Sequence, residues 1–87
     1  MPEVSRFYGI ITMYYEFGRH QQPHFHTRYE KFGASFTITP PSLLAGVMPR
    51  RQQNLFIAWA ELRQEELIEN WQRVELEQPL EKIEGLS

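Results

Sequence analysis

The chain has 87 residues, 41% of them apolar and 14% aromatic, with no cysteine and a formal net charge of −2. This describes one small domain with enough apolar side chains for a core, and it excludes a disulfide scaffold, a cysteine-ligated zinc site and a thiol nucleophile. Residues 1–60 carry six Lys or Arg against three Glu, and residues 61–87 carry three against eight, so a basic part suited to phosphates or an acidic partner precedes a glutamate-rich one.

Residues 4–16, VSRFYGIITMYYE, are dense in β-branched and aromatic types and read as one strand. Phe7, Gly9, Ile11, Met13 and Tyr15 then share one face. FGRHQQP is a loop through Gly18 and Pro23. HFHTRYE, residues 24–30, alternates, with Phe25 and Tyr29 on one side and His24, His26 and Arg28 on the other. Residues 34–39, ASFTIT, alternate again and stop at Pro40 and Pro41, because proline cannot donate to a ladder. SLLAGV, residues 42–47, makes a fourth strand. Short turns between these segments imply an antiparallel meander.

From Pro49 the period changes to that of a helix. Leu55, Phe56, Trp59 and Leu62 form one apolar set, and Leu67, Ile68, Trp71 and Val74 a second. At about 100° per residue the two sets differ by roughly 120°, so the helix breaks between about Leu62 and Glu66. The expected fold is α+β: one domain over residues 1–87, with three to four strands within about 4–47. Two helices at about 49–77 pack on one face of the sheet, and a tail follows at 78–87 with little in it to order it. Leu55, Phe56, Trp59, Leu62, Leu67 and Trp71 are expected to meet Phe25, Phe36, Ile38 and Ile11 in the core. The opening segment has no basic stretch followed by an apolar one, and residues 32–49 are interrupted by three prolines and two glycines. A cytoplasmic protein with no secretory signal and no membrane span is expected.

The histidine row is the first candidate for chemistry. One imidazole of His24 and His26 could take a proton from a ribose 2′-hydroxyl while the other protonates the leaving oxygen, with Arg28 stabilising the charge that develops. That is a metal-independent RNase. The same histidines could hold a metal ion, but two imidazoles are one ligand short of the usual three, and neither a metal nor another cofactor is expected. The plain alternative is a polar strand face that bonds a neighbouring strand or a partner chain. Arg50 and Arg51 stand in the first helical turn, where free backbone N–H groups attract anions, and Arg19 and His20 extend the basic edge. Trp59 and Trp71 have core spacing.

Four blocks in order, EVSRFYGI, PHFH-x-RY, PRR and W-x-E-L-x-x-E-E-L-x-E-N-W, resemble a family of small bacterial proteins known as domain of unknown function 4160. The resemblance runs from Pro2 to about Ile83. It implies a neighbouring gene for a second small protein, an arrangement similar to a toxin–antitoxin pair, and therefore a protein partner. The family's acidic turn between its third and fourth strands is replaced here by TITPPSLLAGV. The functional expectation is the toxin-like, RNA- or anion-binding half of a two-gene module, acting through His24, His26 and Arg28 with Arg19, His20, Arg50 and Arg51 as anion contacts. A non-catalytic protein-interaction or regulatory module is the alternative, and histidine-based metal binding comes third. A second copy of the chain is a further candidate partner.

Overall fold

Two positive backbone angles, Tyr8 at φ 49° and Gly9 at φ 80°, turn the first apolar stretch back on itself. Both central residues of a two-residue type I′ hairpin take φ > 0, and a Cβ on Gly9 would come within 3.2 Å of the Tyr29 ring. The computed structural model describes residues 3–14 and 23–86. In it the stretch expected to form one strand forms two, β1 (Glu3–Phe7) and β2 (Ile10–Met13), paired antiparallel with Phe7 opposite Ile10. β3 (His24–Tyr29), β4 (Phe32–Thr37) and β5 (Ser42–Gly46) complete a five-stranded antiparallel meander in chain order. The expectation of three to four strands is corrected to five.

The hairpin also corrects the face of Ile11. A two-residue turn places Phe7 and Ile10 on the same side, so every later residue of β2 has the opposite facing from that of an unbroken strand. Ile10 is buried and Ile11 is only half-buried, level with Arg6 on one neighbour and Arg28 on the other.

The core side of the sheet carries two rows of large side chains, Phe7, Ile10 and Tyr29 in one and Tyr14, Phe25 and Phe36 in the other. A row of small ones, Ser5, Thr12, Thr27 and Ala34, runs between them. Helix α1 (Arg50–Leu62) lies over this side. Its Phe56 ring sits 4.6 Å from Phe36 and 5.2 Å from Phe25, and its Trp59 ring 5.0 Å from Phe7. The chain breaks at Arg63 and α2 (Gln64–Glu75) continues in a new direction across the end of the sheet. There the Gln64 amide donates to the Ile38 carbonyl at 2.7 Å and the Tyr14 hydroxyl to the Leu67 carbonyl at 3.0 Å. Burial pushes the Tyr14 phenol well above its ordinary value. Leu62, expected in the core, is 74% exposed; it points roughly 120° away from Phe56 around α1.

The tail has partners that its composition hides. Val4 is the extra residue of an irregularity in β1 between Glu3 and Ser5, and its carbonyl accepts the Ile83 N–H at 2.8 Å. The Trp59 indole donates to the Glu84 carbonyl at 2.8 Å. Asn70, fully buried, donates to the Glu81 carbonyl at 2.8 Å and accepts the Glu81 N–H at 3.0 Å. The tail thereby covers the β1 edge and buries Ile83. β5 at the other edge is exposed along its length. Among the described residues no helix is long and apolar enough to cross a membrane.

Candidate functional site

β3 carries the candidate row, and its alternation sends Phe25 and Thr27 to the core and His26 and Arg28 to the other side. α2 reaches that second side at its His24 end, where Trp71 meets the His24 ring, and the side is exposed at Arg28. Three residues expected to act together occupy three different environments along it.

His24, at the α2 end of the strand, is 5% exposed. Its ring lies 5.2 Å from Trp71 and 6.1 Å from His26, edge to face with the latter. Trp71 also walls an apolar cleft of about 210 Å³, lined by Pro23, Ile38, Thr39, Ile68 and Trp71 itself. His26 is half-buried, and its Nε2 is 3.0 Å from the Ser35 hydroxyl on β4. Burial first, and the neighbouring His24 second, lower the His26 pKa to about 4. Its imidazole is therefore neutral at pH 7.

Arg28 is exposed and pairs with Ile11 on β2 and Gly33 on β4. Gly33 offers no side chain, which leaves one flank of the Arg28 guanidinium open. Arg6 lies in the same row on β1, two strand spacings away, or about 9.6 Å. Its guanidinium meets the Glu3 carboxylate through two bonds of 2.8 and 3.1 Å, and this hydrogen bonding holds the Glu3 carboxyl below its ordinary value. Arg28 makes no ion pair among the described residues.

Arg50 and Arg51 are exposed in the first turn of α1, which holds no acidic residue. The Val47 N–H bonds the Gly33 carbonyl at 3.1 Å, so the chain enters α1 at the Arg28 end of the sheet. These arginines belong to the helix layer, across the sheet from His26. Arg19 and His20 lie outside the described residues. Among the described residues no three His, Asp or Glu come together in a set that could hold a metal ion.

Sequence reasoning missed Ser35, because its pairing with His26 depends on the β3–β4 register. It also missed Arg6 as a member of the Arg28 row, which depends on the hairpin at Tyr8.

A family model described as Domain of unknown function (DUF4160) matches residues 9–72. The chain belongs to the DUF4160 family. The match takes in the PHFH-x-RY strand, all of α1 and α2 as far as Gln72, and leaves out β1 and the tail that covers it. No curated protein and no solved structure matches the chain.

Proposed function

We propose that this DUF4160 chain is the toxin-like half of a two-gene module and grips RNA through the open side of its sheet without cutting it. One observation carries this reading: Arg28 is exposed, flanked by a glycine, and stands at the end of its sheet side away from the His24–Trp71 contact. A guanidinium so placed can present its planar fork to a phosphate. Two features favour binding over cleavage. A cleaving pair needs one imidazole protonated as acid, whereas His26 is held neutral and engaged with Ser35. His24 has little surface to offer a substrate.

Fluorescence anisotropy of a labelled single-stranded RNA tests the reading. The wild-type chain is expected to bind, and Arg28→Glu to weaken binding and lower the slope of log K against log salt by about one. Equal affinity in Arg28→Glu overturns it. RNA cleavage without metal that disappears in His26→Ala would restore the catalytic reading.

A second reading, recruitment of the neighbouring gene's protein, draws on β5. The strand has no charged residue, its Leu43 and Leu44 are exposed, and an open edge invites an added strand. With Leu44→Cys as the chain's sole cysteine, a crosslink to the co-expressed neighbour would support it, and a complex that leaves this thiol freely reactive would sink it.

A further inference from the structure

The β1–β2 hairpin holds an aromatic residue where its geometry asks for another type. Pairing of Phe7 with Ile10 leaves two loop residues, and both take positive φ. Asn, Asp or Gly suit the first of these positions because they tolerate the left-handed region. Tyr8 occupies it at φ 49°, where a bulky side chain is an outlier. Burial does not compensate, because Tyr8 is 58% exposed, and its ring contact is an edge-to-face one with Phe7 at 6.2 Å. A strained, exposed aromatic residue with so little packing points to a role outside the fold.

Its position suggests the role. Tyr8 follows Arg6 by two residues, at the hairpin end of β1, and Arg6 shares its row with Arg28. Two strand spacings across and two residues along separate Tyr8 from Arg28 by roughly 12 Å at their Cα atoms. Arg6 is engaged by Glu3, which leaves Arg28 as the cation. An exposed π-face within a nucleotide or two of an exposed guanidinium is a combination that binds single-stranded nucleic acid, the base stacking on the ring and the phosphate meeting the cation. Charge complementarity favours such a strand over an apolar partner. We infer that Tyr8 is a stacking residue for a base of single-stranded RNA whose backbone contacts Arg28. The inference rests on the RNA-binding reading above and adds the single-stranded state of the ligand and the residue that reads its base.

The test pairs binding with stability. Tyr8→Phe keeps both the ring and the strain, and should bind labelled single-stranded RNA within about twofold of wild type. Tyr8→Asn removes the ring and relieves the backbone. It should raise Tm by a few degrees while weakening RNA binding at least about fivefold. A base-paired RNA of the same length should bind wild type more weakly and respond little to Tyr8→Asn. If wild type binds the RNA, Arg28→Glu weakens binding and Tyr8→Asn leaves it unchanged, the stacking role fails and the binding face stands. Absence of binding by wild type overturns both. A fall in Tm for Tyr8→Asn would make Tyr8 a packing residue and remove the strain argument.

Discussion

On one side of β3, Phe25 and Thr27 are sealed under α1; on the other, His26 is half-buried and Arg28 is in solvent. From Phe25 to Arg28 adjacent residues thus have opposite jobs set by parity, whereas His24, of the same parity as Arg28, is buried against Trp71. Side chains facing α1 can be changed only at the expense of the fold, while an exposed one such as Arg28 can change with little effect on it. The largest expected effect follows directly. Phe25→Ala would empty a site bounded by the Phe36, Phe56 and Tyr14 rings and cost about 3–5 kcal/mol. That approaches the whole stability of a domain this size, about 4–13 kcal/mol. Arg28→Ala should stay within about 0.5 kcal/mol of wild type. Urea unfolding of the two variants measures both, and a loss below about 1.5 kcal/mol for Phe25→Ala would break the comparison.

The parity of β3 could be read from HFHTRYE because nothing interrupts its alternation. The parity of the first apolar stretch could not. Tyr8-Gly9 lacks the Asn-Gly or Asp-Gly signature of a type I′ turn, so VSRFYGIITM reads as continuous, and one missed turn misplaces Ile11 and hides the Arg6–Arg28 row. The helix break was legible from two apolar sets out of phase, and it falls at Arg63. Leu62 was not, because a Leu at the end of a helix satisfies the 3–4 spacing whether or not anything covers it. His26 and Ser35 each look like polar strand residues, and only the register between their strands joins them. The tail is the plainest case. Its anchors are largely backbone groups of Ile83, Glu81 and Glu84, and backbone hydrogen bonding leaves no mark in composition.

The tail gives the next test, since it separates the sheet's two edges as parity separates its two faces. Asn70→Ala would remove both bonds that the buried Asn70 side chain makes to the Glu81 backbone, at a cost of about 1–3 kcal/mol for the two. The loss should be local before it is global. Amide exchange at Ile83 should accelerate well ahead of exchange in β3 and β4, and the RNA binding proposed for Arg28 should be the same in Asn70→Ala as in wild type. Equal acceleration across the sheet would mean that the tail is part of a single cooperative unit with the core, and that the covered edge and the open face are not independent.

The smallest effect concerns His26, which sits on the boundary between the covered and open sides. Its pKa is lowered to about 4 in the folded chain, by burial and then by His24, against an ordinary value of 6.5. Between pH 6.5 and 4 the unfolded chain therefore takes up a proton that the folded chain refuses. Stability falls as pH falls through that window, and this contribution is flat again below about pH 4. Part of the ring is in contact with solvent, so the total is on the order of 1 kcal/mol, well under the full linkage value. His26→Gln keeps a group able to bond Ser35 and removes the titration. Its Tm should drop less than that of wild type between pH 7 and 5, the upper part of the window, where ordinary carboxylates contribute little. Parallel curves would mean that His26 charges freely in the folded protein. A protonated imidazole would then stand beside Arg28 near neutral pH, and the case for cleavage on this face would regain its acid.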